Sequence, residues 1–274
     1  MKPILRYLFA ALLTFVTLAF TFLHEVHAQS ISETNVPASI YGDFGGAFVL
    51  YDQNADHFTE YHPKECERVL SPASTFKIPN SLIGLESGVI KDEHYVIPWD
   101  SVTRDFPAWN RDHDLASAIA NSVVWYYQEL ARRVGEDRMR KYVQAIGYGN
   151  NDISGGIDRF WLGSTLKISA LQQVAFLRRL HDETLPFSHK SMEIVKRILV
   201  LEQTDSTVLR GKTGFAIQQD GTVVGWLVGY VEKRGNVYYF ACNFTSENEK
   251  RDGNAIFARK KDMAIEVLRK LGVL

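Results

Sequence analysis

The chain has 274 residues, enough for one large domain or two small ones, and its hydrophobic fraction of 46% is that of an ordinary globular protein. The formal net charge is -1, and no block of like charge is long enough to form a binding tail. We therefore expect no nucleic-acid partner.

The N-terminus has the layout of a secretory signal peptide. Lys2 and Arg6 give a basic start, residues 8–23 are apolar residues and threonines, and Val26-His27-Ala28 resembles a cleavage motif. An uncleaved anchor is the alternative, but the run is short for a membrane span, which needs roughly 20 apolar residues. We expect a signal peptide at 1–28, a periplasmic or secreted mature protein, and no stable membrane association after cleavage.

The first predicted element of the mature chain is a β-hairpin. GGAFVLYD (Gly45–Asp52) has the composition of a strand, and the FTEYHP run that follows is its expected partner. Cys66 comes next, and Cys242 is the second of only two cysteines. An oxidising compartment permits a disulfide, but the sequence leaves open whether the two thiols pair or stay buried and free.

PASTFKIPNSLIGLESG (72–88) predicts a helix that begins near Ser74, because Pro79 is tolerated only close to a helix start. Ser74 and Lys77 are three residues apart and share a helix face, so Lys77 can point at the Ser74 hydroxyl. Apolar neighbours indicate that Lys77 lies partly inside, where its pKa falls and neutral amine chemistry becomes available. A surface serine and lysine have the same spacing, so this motif alone is a weak signal.

The middle of the chain is predicted to be helical. Ser169 is the expected N-cap of one helix, and Ser122 lies inside another, where a hydroxyl bonded to a backbone carbonyl is the simplest explanation. A Gly- and Asn-rich loop ends in Phe160-Trp161-Leu162, and such loops often carry functional residues. The helical segments are DLASAIANSVVWYYQELARRVG, EDRMRKYVQAIG, SALQQVAFLRRLHDETLPF and HKSMEIVKRILVLEQ.

The last part of the chain returns to strands. LRGKTGFAIQQDG places Lys212-Thr213-Gly214 in an extended run, where it can offer a cation, a hydroxyl and a backbone edge to a carboxylate. GTVVGWLVGYVEK and NVYYFACNF predict two strands joined by a turn at residues 233–236, and AIFARKKDMAIEVLRKLGV predicts a terminal helix. We expect an α+β fold in a single domain over 29–274. Its antiparallel sheet is formed from both chain ends, with flanking helices and an inserted, mostly helical region.

Ser-x-x-Lys, an internal Ser and Lys-Thr-Gly, in this order, resemble the motif set of serine β-lactamases and penicillin-binding proteins. Tyr148-Gly149-Asn150, the Phe-Trp-Leu segment and the phrases WNRDHDL and DISGGIDRFWL make the chain similar to class D, oxacillinase-type, serine β-lactamases. The resemblance covers nearly the whole mature chain. It implies the penicillin-binding/serine β-lactamase fold, hydrolysis of the β-lactam amide, β-lactams as small-molecule partners, and antibiotic resistance.

The resemblance also implies a role for each matched residue. Ser74 would be acylated, Lys77 would be N-carboxylated by CO2 and act as general base, and Ser122 would relay a proton to the β-lactam nitrogen. The backbone N–H groups of Ser74 and Phe215 would form the oxyanion hole. No metal and no further cofactor are expected. The carbamate pocket would comprise Val124, Trp161 and Leu162. Substrate contacts, including those to the carboxylate, would come from Lys212, Thr213, Gly214, Phe215, Trp109 and Arg259.

Three departures from the family pattern affect substrate binding more than reaction class. Arg259 and Lys260 are adjacent candidates for holding the substrate carboxylate, and the sequence leaves the choice between them open, with Arg259 named above as the substrate contact because the family usually has an arginine there. Gly211 is smaller than the expected Ala or Ser, and the strand around Trp226 lacks two of the family's usual tryptophans.

Three other functions are compatible with parts of the pattern. A β-lactam sensor domain or a penicillin-binding transpeptidase would acylate at Ser74 without fast turnover. An exported binding protein with a degenerate site fits least well, because every matched catalytic position is intact. A homodimer is left open.

Overall fold

The computed structural model describes residues 30–274, so the predicted signal peptide at 1–28 lies outside the described residues. The strands of the described part form one sheet, in the order β1-β3-β2-β7-β6-β5-β4. They are β1 (Ser30–Glu33), β2 (Gly45–Asp52), β3 (His57–Tyr61), β4 (Val200–Gln203), β5 (Thr207–Ile217), β6 (Val223–Lys233) and β7 (Asn236–Ser246). Early and late strands meet at the β2–β7 pair, which confirms a sheet built from both chain ends.

The β2–β7 pair is antiparallel, with Gly45 opposite Thr245 and Asp52 opposite Tyr238. Strands β5, β6 and β7 form an antiparallel meander, and β6 joins β7 through the predicted turn at 233–236. Every residue from Val223 to Val231 of β6 is buried, because packed side chains cover both faces of this central strand. The strand is therefore continuously apolar instead of alternating.

Helices flank this sheet and fill the interval between β3 and β4. Short 3₁₀ helices lie at Ala73–Phe76 and Pro107–Trp109. The α-helices of the described residues are α1 (Ala38–Tyr41), α2 (Pro63–Glu67), α3 (Lys77–Glu86), α4 (Leu115–Ala120), α5 (Val124–Val134), α6 (Glu136–Ile146), α7 (Ala170–His181), α8 (His189–Ile198) and α9 (Glu249–Lys270).

The sheet separates two hydrophobic clusters. Val224 and Trp226 of β6 pack in the cluster that contains the inserted helices, whereas Leu227 and Val231 pack in the cluster that contains α9. Side chains that alternate along a strand point to opposite faces, which explains this division. Residues Ile31–Leu274 form a compact unit. Within the range that the structure describes, no helix is long and apolar enough to cross a membrane.

The predicted helix around Ser122 is two helices. α4 ends at Ala120 and α5 begins at Val124, and Ser122 between them has a left-handed backbone with φ 53°. Apolar periodicity continues through the break because both helices pack into the same core, so the sequence pattern hides it. Asp114 starts α4 with a capping box.

Other helix boundaries also differ from the predictions. Ser169 caps α7 as predicted, with Gln172 completing a capping box. The next helix ends at Ile198, because Leu199 accepts a hydrogen bond from Gly211 and the chain then joins β5 as strand β4. The terminal helix begins earlier than predicted, where the Asn248 side chain caps it.

Both cysteines are buried and free. The Cys66 thiol donates to the Tyr61 carbonyl at 3.4 Å, and the Cys242 sulfur lies 3.2 Å from the Tyr41 hydroxyl. Each thiol therefore packs as a small buried side chain.

Candidate active site

The nucleophile candidate stands in the turn that leads into α3. Ser74 belongs to the 3₁₀ helix Ala73–Phe76, and Lys77 is the first residue of α3. The side-chain nitrogen Nζ of Lys77 donates a hydrogen bond to Ser74 Oγ at 2.6 Å. Ala73 has φ 50°, a left-handed conformation that is uncommon for a residue with a Cβ and that sets the approach to Ser74.

Lys77 is fully buried. Burial holds the pKa of Lys77 well below its usual value, and the charge of Lys212 lowers this pKa further. The aromatic ring of Tyr127 lies 5.4 Å from Nζ, and Ser81 donates to the Lys77 carbonyl at 2.7 Å. The site therefore favours a neutral amine in hydrogen-bond contact with a serine hydroxyl.

The indole of Trp161 adds an unsatisfied donor to this interior. Trp161 is fully buried, stacks on Phe76 with ring centroids 5.5 Å apart, and contacts Phe160 at 4.9 Å. Its Nε1 hydrogen has no acceptor among the described residues. Leaving a buried N–H unpaired costs free energy, so a group that binds beside Trp161 and accepts this hydrogen gains affinity. Leu162 is half-buried against the same core.

Ser74 opens into a cavity of about 780 Å³. The helical region and strand β5 form two sides of it, and one face of α9 forms a third. The residues that line it are Ser74, Phe106, Trp109, Asn121, Ser122, Val124, Thr213, Gly214, Phe215, Ile217, Glu249, Lys250, Gly253, Asn254, Phe257 and Lys260. Most of the predicted site residues therefore meet here. The buried Lys77, Trp161 and Lys212 and the half-buried Leu162 do not line the open cavity.

The structure places Lys260, not Arg259, at the cavity. Arg259 is exposed to solvent, whereas the adjacent Lys260 is partly buried and lines the wall. Successive residues of an α-helix point about 100° apart, and here Lys260 is the one on the cavity side, while Arg259 points to solvent. The prediction that Arg259 contacts the substrate carboxylate has no support in this geometry.

Cations concentrate on the side of the cavity formed by β5 and α9. Burial and the charge of Lys260 lower the pKa of Lys212 to about 7, and burial lowers the pKa of Lys260 to about 8. Lys212 Nζ donates to Thr213 Oγ1 at 3.3 Å. Two crowded ammonium groups beside a hydroxyl favour an anionic ligand, because its charge relieves their repulsion and desolvation.

Two glycines let β5 approach its neighbours closely. A Cβ on Gly214 would lie 2.9 Å from the Pro72 carbonyl oxygen, so a side chain there would separate β5 from the segment that carries Ser74. A Cβ on Gly211 would lie 2.7 Å from the Val228 carbonyl oxygen of β6. This close approach explains why Gly211 is smaller than the residue we expected.

The sequence analysis missed Ser71, which connects three parts of the site. Its hydroxyl donates to the Trp161 carbonyl at 3.0 Å and accepts from the Gly163 amide at 2.9 Å. Its carbonyl accepts from Trp226 Nε1 at 3.0 Å, and its amide donates to the Gln218 side chain at 2.9 Å. Its hydroxyl also accepts from the Ala73 amide at 3.4 Å, but the partners that connect the site come from distant segments, so the sequence around Ser71 does not reveal them.

A second buried connection was also missed. Gln173 of α7 donates to Thr75 Oγ1 at 2.8 Å and accepts from the Tyr148 hydroxyl at 3.2 Å. Thr75 in turn donates to the Pro72 carbonyl at 2.8 Å. The residue directly after Ser74 is thus fixed to a helix that belongs to the core. Only the Tyr148 end of this chain of hydrogen bonds carried a sequence signal.

One group of three side chains in the described region has the spacing of metal ligands: Glu183, His189 and Glu193. Lys196 pairs with both carboxylates, at 2.7 Å from Glu183, and so already supplies a positive charge there. None of these residues lines the cavity at Ser74.

A serine bonded to a buried lysine, beside a strand bearing Lys-Thr-Gly, is the arrangement of penicillin-recognising serine enzymes. Residues 46–261 match the penicillin-binding protein transpeptidase domain family. The chain is 41% identical over 251 residues to the probable β-lactamase YbxI of Bacillus subtilis (strain 168), covering 92% of this chain and 89% of that protein. A solved class D β-lactamase, YbXI from Nostoc, is 40% identical with a TM-score of 0.79, covering 88% of this chain and 98% of that one. The chain belongs to the class D β-lactamases, serine hydrolases that act on cyclic amides.

A further relative is the regulatory protein BlaR1 of Bacillus licheniformis, 37% identical over 246 residues. The match covers 88% of this chain but 40% of BlaR1. The shared domain therefore also occurs within a longer regulatory protein, and motifs alone do not separate turnover from acylation.

Proposed function

We propose that the protein is an exported β-lactamase that opens the β-lactam amide through an acyl-enzyme on Ser74, with Lys77 N-carboxylated by CO2, and so gives resistance to β-lactam antibiotics. The contact of 2.6 Å between Lys77 Nζ and Ser74 Oγ in a fully buried setting carries the proposal. A neutral amine adds to CO2 and an ammonium does not, so the lowered pKa of Lys77 favours the modification.

The residues around Lys77 fit such a group. Trp161 Nε1 is a buried donor without an acceptor in residues 30–274, and its indole stacks on Phe76, the residue directly before Lys77. Val124 lines the adjacent wall, and Leu162 packs against the same core, so both limit water near the lysine. When bound to Lys77, a carbamate supplies the general base for Ser74 and for the water that hydrolyses the acyl-enzyme.

The remaining residues have separate roles in acylation. Ser74 Oγ attacks the lactam carbonyl carbon, the carbon–nitrogen bond breaks, and the departing nitrogen takes a proton. Ser122 lines the same cavity from the break between α4 and α5, and we assign it the transfer of this proton. The backbone amides of Ser74 and Phe215 are proposed to hold the developing oxyanion, a contribution of roughly 3 kcal/mol per donor.

The lysine side chains of β5 and α9 orient the substrate by attracting its carboxylate. We assign contact with the substrate carboxylate to Thr213 and Lys260, in place of Arg259, and Lys212 adds its charge from behind Thr213, to which its Nζ donates. Lys260 offers a point charge and not the fork of a guanidinium, so the carboxylate is held with less geometric restriction than by an arginine. Gly214 contributes the open backbone edge of β5 beside Ser74.

Export is proposed from the sequence pattern at 1–28, with residues 29–274 as the mature catalytic domain. The basic start, the short apolar run and the small residue at the cut are the features that support it.

The first experiment is hydrolysis of a chromogenic cephalosporin by residues 29–274, with and without bicarbonate. We expect steady turnover that bicarbonate enhances. A single burst of one equivalent under both conditions would contradict hydrolysis and favour a sensor or transpeptidase. Unchanged turnover in bicarbonate-depleted buffer would contradict the carboxylation of Lys77.

Trp161→Phe tests the donor directly, because it removes the Nε1 hydrogen but retains a ring to stack on Phe76. We expect slower deacylation and a stronger dependence on bicarbonate. Trp226→Phe is the matched control: its buried Nε1 hydrogen bonds to the Ser71 carbonyl, so its loss should lower stability without changing the bicarbonate dependence.

A further inference from the structure

Two aromatic side chains at the mouth of the cavity are exposed although they contact each other. Phe106 is 44% exposed and Phe257 is 42% exposed, and their ring centroids are 6.0 Å apart. Phe106 precedes the 3₁₀ helix Pro107–Trp109, whereas Phe257 belongs to α9, which packs on the sheet. Their contact therefore joins two sides of the cavity across its mouth, and we name this pair the aromatic bridge.

The aromatic bridge continues into the walls on both sides. The Phe106 ring lies 4.7 Å from Trp109, and the Phe257 ring meets Phe215 of β5 edge-on at 5.1 Å. Of the eight large hydrophobic residues that are exposed in the described chain, Phe106, Ile217 and Phe257 all line this one cavity. Exposed apolar surface gathered in a cleft commonly marks a ligand contact.

The charges beside the bridge indicate which part of a substrate meets it. Lys260 Nζ lies 4.3 Å from the centre of the Phe257 ring and 5.8 Å from that of Phe215. A carboxylate held by Lys260 therefore brings the carbon atoms next to it against Phe257. In penams and cephems the carbon adjacent to the carboxylate-bearing carbon carries a substituent, two methyl groups in penams and a variable group at C3 of cephems.

We propose that Phe106 and Phe257 form the subsite for the apolar substituent next to the substrate carboxylate, so that the enzyme selects cephems with an aromatic or large apolar group at C3. This inference rests on the proposed function, because it uses Lys260 as the carboxylate contact. The subsite acts by covering ring faces that are otherwise wet, and an aromatic substituent gains additional stacking with them.

The test compares two cephems that share one acyl side chain and differ at C3, with a methyl group in one and an arylvinyl group in the other. In Phe257→Ala we expect KM for the arylvinyl substrate to rise about five- to tenfold, while KM for the methyl substrate and both kcat values stay nearly unchanged. Phe257→Leu keeps apolar bulk without the ring and should give an intermediate KM. Phe106→Ala should have the same selectivity as Phe257→Ala.

Val102→Ala is the matched control, since Val102 is an exposed apolar residue (53%) in the segment before Phe106 and does not line the cavity. It should leave KM for both substrates unchanged. An equal change in KM for the two substrates in Phe257→Ala would overturn the proposal. A fall in KM for the arylvinyl substrate would also overturn it, because the pair would then be a barrier.

Failure of the proposed function is distinguishable from failure of this inference. If the wild-type protein hydrolyses neither cephem, hydrolysis itself is contradicted. The rates of Ser74 acylation, followed by mass spectrometry, then replace turnover as the readout for the subsite. If Phe257→Ala loses the preference for acylation by the arylvinyl compound, the subsite proposal is supported. If the variant retains this preference, the proposal is overturned.

Discussion

The polar groups on two sides of the nucleophile differ in how they are satisfied. In the supporting network of Ser71, Thr75 and Gln173, the buried side chains are held by hydrogen bonds within the chain. In the reactive interior of Lys77, Trp161 and Lys212, the Trp161 Nε1 hydrogen lacks an acceptor among the described residues, and burial lowers the pKa of both lysines. The supporting network positions Ser74 and stabilises the fold. The reactive interior lowers the stability of the fold, because it buries groups that are kept reactive.

Lys77→Met should separate these two properties most strongly. We expect activity to fall by about a thousandfold or more, while the free energy of unfolding at pH 7 rises by about 1–2 kcal/mol, because an apolar chain of similar length replaces a buried amine. The unfolded wild-type chain binds a proton at Lys77 that the folded chain releases, so the stability gain should shrink as pH rises toward 10.5.

Urea unfolding and hydrolysis rates measure both effects. Lys141→Met, at an exposed position of α6, is the matched control and should change neither quantity. If Lys77→Met were less stable than the wild type at pH 7, Lys77 would support the fold. This result would refute the proposed difference between the supporting network and the reactive interior.

Ser71→Ala tests the supporting network. Removing this hydroxyl leaves the buried Gly163 amide without its acceptor and the Trp161 carbonyl without its donor, so we expect a loss of about 2–3 kcal/mol in unfolding free energy. Ser87→Ala, which removes one hydrogen bond at a half-buried helix end, should lose less than about 1 kcal/mol. Equal losses in the two variants would mean that Ser71 has no special part in holding the site.

Lys260→Met should give the smallest of the three effects. It tests whether the charges of Lys260 and Lys212 influence each other. Lys212 and Lys260 have pKa values of about 7 and about 8, so both lose their charge as pH rises, and KM for a carboxylate substrate should rise between pH 6 and pH 9. In Lys260→Met we expect KM at pH 6 to rise about tenfold, because a charged hydrogen bond is lost. The rise of KM with pH that remains in this variant comes from Lys212. It should shift to higher pH, because the Lys260 charge that lowers the pKa of Lys212 is gone.

The pH profile of kcat/KM measures this shift. Lys250→Met supplies the control, because Lys250 also lines the cavity from α9 but nearly three helical turns away from Lys260. It should leave the shape of the profile unchanged. A profile of Lys260→Met that runs parallel to that of the wild type would contradict electrostatic coupling between Lys260 and Lys212.

The sequence was informative where contacts are local or where a pattern is strong. The Ser74–Lys77 contact follows from a spacing of three residues, and the β6–β7 hairpin follows from two long apolar runs and a turn. The break at Ser122 was not predictable, because it depends on a left-handed backbone that tertiary packing holds in place. Ser71 escaped notice for a similar reason, since four of its hydrogen-bond partners, Trp161, Gly163, Gln218 and Trp226, are remote in sequence.

The choice between Arg259 and Lys260 shows where helical periodicity alone is insufficient. Gly253, Phe257 and Lys260 follow the spacing i, i+4 and i+7 and share one face of α9, which lines the cavity. Arg259 lies outside this face. The face could have been found from the sequence only if the cavity side of the helix were already known, which is tertiary information.

The pairing of Gly45 with Thr245 has a consequence for the order of events in biosynthesis. Strand β2 cannot acquire its partner β7 until nearly the entire polypeptide has left the ribosome, and contacts between such distant segments form slowly. The nascent chain thus remains without its central sheet for most of its synthesis. This delay is compatible with the proposed export, because a translocation channel is threaded by extended polypeptide.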